Sequence, residues 1–234
     1  MSFFASPQKL IQSGLDLLFP PACVYCKAPN IWLCSDCYSK IPLIKSDVCY
    51  RCGTPSISVS CSQCKNNPLN YIDGIRSAAH FQDNPIRSAI HNLKYQGRKV
   101  IAETLAAILA EAYRFYKLKA DVLIPVPLHR SRYKERGFNQ SLLLAKELGR
   151  LVDRPVDAAM LYRIRDTGYQ MEMKAHERHQ NVADAFACRK PVTHQNILLI
   201  DDVCTTGATL DFCAMSLKMN GASAVWGLTL AKTH

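Results

Sequence analysis

The sequence contains no apolar run approaching the ~20 residues that a bilayer-spanning helix needs, so no membrane span is expected. Its first nineteen residues lack both a basic start and a continuous apolar stretch, and therefore do not read as a secretion signal. Leu10, Ile11, Leu15, Leu18 and Phe19 instead suit one amphipathic helix packed against a core, within a first segment at 1–20. A Gly-x-x-x-x-Gly-Lys-Ser/Thr segment is missing, which removes the nucleoside-triphosphatase reading of any acidic pair elsewhere. Low-complexity tracts are absent, and the only repetition is a set of cysteine pairs. The expectation is a cytoplasmic chain whose thiols stay reduced.

What is present is an ordinary globular composition: 234 residues, 48% hydrophobic and 21% charged, enough to bury a core. Acidic residues are the scarce charge. The formal balance of +10 points to anionic partners such as nucleic acid, nucleotide phosphates or both, although general solubility explains it equally well.

Eight of the eleven cysteines fall between positions 23 and 64, as Cys23/Cys26, Cys34/Cys37, Cys49/Cys52 and Cys61/Cys64. Each Cys-x-x-Cys makes a knuckle presenting two thiolates, and two knuckles complete a tetrahedral Zn²⁺ site. Disulfides conflict with a reducing compartment, and a redox motif has no reason to recur four times in so short a span. Two structural zinc ions are expected over 21–68. Their pairing is either sequential or crossed. A segment this short buries little area, so the metal supplies its stability. Cys188, Cys204 and Cys213 show no ligand spacing.

From 69 to 234 strands alternate with helices, which predicts a mostly parallel α/β sheet. Strand patterns cover 72–81, 121–126, 197–201 and 222–230. Asn84-Pro85 reads as an N-cap with proline at the first helical position. Further helices are expected over 100–118 and 141–151, with Gly221 as the C-cap glycine of the last one. Pro125 and Pro127 turn the chain out of the sheet into a basic loop at 127–140. The polar stretch 160–190 reads as a lid beside a site.

The most informative stretch is Ile197 to Leu210. Four aliphatics suit a strand buried on both sides; Asp201 and Asp202 follow where it should emerge. Thr205, Thr206, Gly207, Ala208 and Thr209 then lead into a helix. Backbone N–H groups in such a loop converge on an anion, and the glycine admits close approach. The adjacent carboxylates suit ribose hydroxyls or a shared Mg²⁺. An ordinary buried strand followed by a capped helix explains the aliphatics and Thr209, but not the two acids beside a hydroxyl-rich turn.

This stretch resembles the phosphoribosyl pyrophosphate (PRPP) loop of type I phosphoribosyltransferases. The cysteine knuckles come first, followed by Leu93-Lys94-Tyr95-Gln96-Gly97-Arg98 and by Pro125-Val126-Pro127-Leu128 through Arg136-Gly137-Phe138-Asn139-Gln140. Next are Arg165-Asp166-Thr167 with Gln170, Arg178 and Asn181. In that order they resemble the ComF family, bacterial proteins associated with DNA uptake in natural transformation. One departure is Lys27, where a glycine commonly follows the knuckle. The resemblance implies a type I phosphoribosyltransferase-like domain after a double zinc ribbon. Asp201 and Asp202 would lie on the ribose, with Val203, Cys204 and Thr205 to Thr209 completing the PRPP loop and Mg²⁺ accompanying the ligand. Lys94, Arg130 and Arg132 are candidates for pyrophosphate or nucleic acid. The implied role is handling of incoming single-stranded DNA, with the zinc module docking a helicase or uptake-machinery protein. The alternative is an active transferase moving ribose 5-phosphate from PRPP to a base or nucleotide-related acceptor. Asp201 and Asp202 are the only catalytic candidates, and no acceptor pocket is recognisable. Metal analysis of the purified chain is expected to find about two zinc ions; a value near zero or one would overturn the two-site reading.

Overall fold

A computed structural model of the chain describes residues 20–56, 61–164, 185–192 and 195–233. The fold is an α/β, mostly parallel sheet with flanking helices, preceded by a small zinc-ribbon module. Strands β1 (Gly74–His80), β2 (Val122–Pro125), β5 (Asn196–Cys204) and β6 (Ala224–Lys232) form a parallel sheet in the order β1-β6-β5-β2. Beside β2, residues 155–157 add a parallel bridge, Leu123 to Val156, at the outer edge. Strands β3 (Leu161–Arg163) and β4 (Phe186–Cys188) form a separate antiparallel pair.

Buried aliphatic strands feed two cores, one on each face, because successive side chains point oppositely. Leu198 and Ile200 of β5 join Leu123, Leu228 and Leu230 on one face. Helices α3 (Pro85–Tyr95), α4 (Ile101–Phe115) and α6 (Gln140–Val152) cover it. Ile197 and Leu199 turn to the other face, with Ile124, Val225 and helix α7 (Ala208–Met219). The connection after β2 therefore leaves to one face and that after β5 to the other. Their carboxyl ends flank the crevice in which open α/β sheets bind ligands.

Short helices α1 (Ser35–Tyr38) and α2 (Ser62–Asn66) each follow a zinc-knuckle cysteine. The module closes the sheet edge at β1. Residues 42–44 lie antiparallel to it, with Ile44 N–H on Ala78 C=O at 2.9 Å and His80 N–H on Pro42 C=O at 3.0 Å. The Ile75 N–H bonds Arg51 C=O at 2.8 Å. An edge strand that would otherwise template pairing with another chain is thereby occupied. The two cysteine sets sit on opposite faces: Cys23 and Cys37 join the α4 core, Cys49, Cys52 and Cys61 the α7 core.

Several expected features are present in the fold. Asn84 accepts the N–H groups of Ile86 and Arg87, with Pro85 at N1. Gly221 has φ +103°, and a Cβ there would stand 2.1 Å from the Val192 carbonyl oxygen. Others change. The basic stretch expected as loop holds helix α5 (Arg130–Arg136), capped by the His129 side chain accepting Ser131 N–H and closed by Gly137 at φ +73°. The strand expected at 197–201 runs on through Cys204, because Val203 and Cys204 still pair with Ala231 and Lys232. The N-terminal helix and most of the 160–190 lid fall outside the described residues. No helix among the described residues is long and apolar enough to cross a membrane.

The zinc module meets α7 at one carboxylate. Asp211, 2% exposed, accepts the N–H groups of Asn70 (3.0 Å), Tyr71 (2.8 Å) and Ile72 (2.8 Å) in the segment that leaves the module. Charge-assisted bonds of this kind are the stronger class, and removing the acceptor strands the donors. Asp211→Ala is expected to lower stability by about 2–4 kcal/mol, read by urea denaturation with zinc in excess. An unchanged midpoint would show that the carboxylate does not hold the junction.

Candidate functional site

At the carboxyl end of β5, Asp201 and Asp202 lie within the ladder rather than beyond it, and both have partners. Asp201 accepts Ser141 Oγ–H of α6 at 2.8 Å and the Asp202 N–H at 2.9 Å. Asp202, 4% exposed, accepts the Val203 N–H at 3.0 Å and forms an ion pair with Lys94, in the last turn of α3. Two neighbouring carboxylates under a packed core need such partners, because burial penalises the ionised form. Asp201 is raised to about 7, by burial first and then by the charge of Asp202, against the opposing pull of Ser141, Lys94 and the Asp202 N–H.

The turn that follows is short. Thr205 is exposed, and the Thr206 hydroxyl accepts the Ala208 N–H at 3.3 Å. Gly207 takes φ +90° directly before α7, and a Cβ there would meet Ile75 Cδ1 at 2.8 Å and Leu69 Cδ2 at 3.2 Å. Only glycine satisfies both the angle and the space. Among the described residues no acceptor takes the backbone N–H of Thr205, Thr206 or Gly207. Thr209 is exposed in the first turn of α7. Lys232, 3% exposed, lies behind this turn. Its ammonium donates to the Thr205 carbonyl at 3.3 Å and lies 3.8 Å from Cys204 Sγ. Burial pushes the Cys204 thiol up to about 11, so it stays protonated.

Of the three expected anion-binding cations, Lys94 stands at the acids. Arg132 pairs with Glu135 at 3.2 Å on the open side of α5. Arg130 lines a groove between α5 and the β3–β4 hairpin. Arg136, by contrast, bonds Gln140 Oε1 at 2.9 Å, and its guanidinium stacks on Tyr95 with 5.0 Å to the ring centroid. Ser141 and Lys232 escape the sequence reading. Ser141 looks like any serine at a helix start. Lys232 becomes visible only once β6 is extended two residues past Leu230, opposite Cys204. The stretch at Arg165 to Asn181 lies outside the described residues.

The eight cysteines fall into two sets, Cys23, Cys26, Cys34 and Cys37, and Cys49, Cys52, Cys61 and Cys64. Within each set the sulfurs lie within 4.8 Å of one another. Pairs such as Cys26–Cys34 at 3.5 Å and Cys49–Cys64 at 3.7 Å suit the edge of a zinc–thiolate tetrahedron with ~2.3 Å bonds. This is the sequential pairing. Burial raises the Cys23 thiol, but the N–H groups of Cys34, Tyr25 and Cys26 outweigh it and hold Cys23 near 6. Cys49, also raised by burial, is held near 7 by the N–H groups of Cys52 and Arg51. Cys37 is pushed up to about 12 by burial and by the neighbouring thiols, and Cys64 rises for the same reasons. Each set thus has one thiol ready to ionise and another that needs a cation to do so, which is the donor chemistry of structural zinc.

These features define a zinc-ribbon protein whose second part is a parallel α/β domain with an acidic pair at its switch point. A family profile described as a double zinc ribbon domain matches residues 14–66. DNA utilization protein YhgH of Escherichia coli K12 is 32% identical over 228 residues, covering 93% of this chain and 99% of that protein. Competence protein F of Haemophilus influenzae is 31% identical, covering 89% and 96% of the two chains. Competence protein ComFC of Bacillus subtilis is also 31% identical, covering 88% and 86%. The chain belongs to the ComF family that these proteins represent. Among solved structures it is similar to glutamine phosphoribosylpyrophosphate amidotransferase of B. subtilis (20% identity, TM-score 0.38, 55% of this chain and 25% of that one). It is also similar to a purine phosphoribosyltransferase of Pyrococcus horikoshii (21%, TM-score 0.35, 57% and 73%). Overlaps of that extent locate no ligand on this chain.

The raised Asp201 carboxyl sets a pH dependence. In the unfolded chain it ionises near ~3.9. Between about pH 4 and 7 the folded chain therefore holds a proton that the unfolded chain has released, so stability falls as pH rises through that window. Asp201→Asn keeps an acceptor for Ser141 and removes the charge. It is expected to stabilise the ligand-free protein, by on the order of 2 kcal/mol more at about pH 8 than at about pH 5.5. Thermal melts at the two pH values check this; an equal effect at both would place the Asp201 carboxyl in its ordinary range.

Proposed function

We propose that residues 201–209 bind a phosphorylated ribose, PRPP or a close relative, and that the protein acts in DNA uptake by handling incoming single-stranded DNA. The observation that carries this reading is the turn at Thr205–Gly207. Its N–H groups are not taken by described acceptors, and it lies beside two carboxylates at the sheet's switch point. In this reading the turn and the start of α7 hold the 5′-phosphate, and Asp201 and Asp202 face the ribose hydroxyls. The two carboxylates suit a hard cation as well, and Mg²⁺ bound with PRPP would neutralise its pyrophosphate. Lys94 then has to leave Asp202 for a ligand phosphate, or hold both.

Transfer to an acceptor remains the second reading. Around the crevice no described residue selects a base, so binding is the activity proposed. The relatives' names support a role in DNA use and competence. The zinc module, with Tyr25, Ile31 and Tyr50 exposed, is the proposed contact for a helicase or uptake-machinery protein.

Calorimetric titration with PRPP and Mg²⁺ is expected to show binding that Asp201→Asn/Asp202→Asn abolishes. Equal binding by that double variant would remove the assignment. Pyrophosphate release on adding a base would replace binding by turnover.

A further inference from the structure

The cradle leaves unexplained a groove of about 380 Å³ on the same end of the sheet, between α5 and the β3–β4 hairpin. Four cations line it: Arg130 and Lys134 from α5, Arg163 from β3, and Arg189 just after β4. No carboxylate does so among the described residues. Tyr133 and Tyr162 complete the walls, 52% and 38% exposed, over a floor that includes Leu128 and Leu161. The Arg189 guanidinium lies over the Tyr162 ring, 5.0 Å from its centroid.

This composition selects its ligand. A protein partner's interface is depleted in lysine and carries charges of both signs, whereas this lining has one sign only. Guanidinium forks and an ammonium match phosphate oxygens, and exposed tyrosine faces match unpaired bases. In a duplex the bases are stacked on each other, so ring faces in a groove beside the phosphates have nothing to engage. We propose that this groove is the single-stranded nucleic-acid site of the protein, with Arg130, Lys134, Arg163 and Arg189 along the phosphates and Tyr133 and Tyr162 stacked on bases. The assignment rests on the reading that the chain handles single-stranded DNA, and adds where the strand lies. The groove is distinct from the phosphate turn at the end of β5, which none of its lining residues supplies.

The test uses the full, zinc-loaded chain and a fluorescein-labelled oligothymidylate of about 20 nucleotides, longer than a single-domain site of ~4–16. Anisotropy is followed across a salt series. Lys134 and Arg189 are exposed, so Lys134→Glu/Arg189→Glu is expected to fold normally and keep PRPP binding. Its affinity for the oligonucleotide should fall at least tenfold, and the slope of log affinity against log salt should become shallower by about 1.4, two phosphate contacts' worth. Tyr162→Ala should weaken binding roughly tenfold with the slope unchanged, as loss of a stacking face requires. A duplex of equal length should bind more weakly than the single strand. Variants that bind the oligonucleotide like the parent chain would overturn the groove while leaving DNA handling intact. A parent chain that binds no oligonucleotide would overturn both.

Discussion

The bond set on Asp211 is the constraint from which the arrangement of this molecule follows. One buried carboxylate, a turn into α7, receives three consecutive backbone N–H groups from the segment that leaves the second zinc ribbon. That fixes the start of α7, and with it the Thr205–Gly207 turn, against the metal module instead of leaving it on a mobile loop. The same segment supplies Leu69, which with Ile75 fills the space under Gly207. A turn whose N–H groups find no acceptor among the described residues needs such a floor, because those groups gain nothing from the rest of the protein. The zinc-ribbon module and the segment that leaves it are therefore part of the wall of the candidate site. The second cysteine set shares one core with Cys204, Leu210 and Phe212, so loss of that metal would be felt where the phosphate turn begins.

Around the acids a second constraint operates. Asp201 and Asp202 belong to one strand, yet their partners come from α3 and α6, two helices that the chain lays down more than a hundred and about sixty residues earlier. Burying carboxylates side by side costs more than either would alone, and the fold answers by converging a lysine and a serine hydroxyl on them. A ligand with hydroxyls and a cation replaces like with like at this position. The acidic end of β5 thus has protein partners for both carboxylates.

How much of this could be read from residues alone divides along the same line. The four knuckles, the buried aliphatic run at 197–200, the Asn84-Pro85 start and the Gly221 stop carry their physics locally, in spacing or in a backbone angle, and each falls where the sequence places it. What escaped is what depends on distant register. The pairing of Lys94 with Asp202 cannot be seen without knowing that α3 ends over β5. Lys232 needs the β5–β6 ladder to bring it opposite Cys204. Helix α5 was hidden by two prolines that do end β2 but say nothing about the seven residues after His129, whose side chain caps them. The occupation of the β1 edge by residues 42–44 leaves no mark in a segment whose pattern is dominated by cysteine.

Two proposed anion surfaces now share one end of the sheet, and their chemistry separates their roles. At the end of β5 the groups are acids, hydroxyls and main-chain N–H, which suit the one small phosphate-bearing ligand proposed for it. In the groove beyond β2 the groups are long cations and rings, which tolerate any base and follow a backbone. Helix α5 stands between them, sending Arg130 and Lys134 into the groove while Arg136 packs toward Tyr95 and Gln140 at the start of α6. Since Ser141 on that same helix holds Asp201, any shift of the α5–α6 corner changes both surfaces at once. A phosphosugar that drew Lys94 off Asp202 would act at the other side of this corner, where Lys94 and Tyr95 are neighbours in the last turn of α3. The two surfaces are therefore joined by a few packed side chains on α3, α5 and α6.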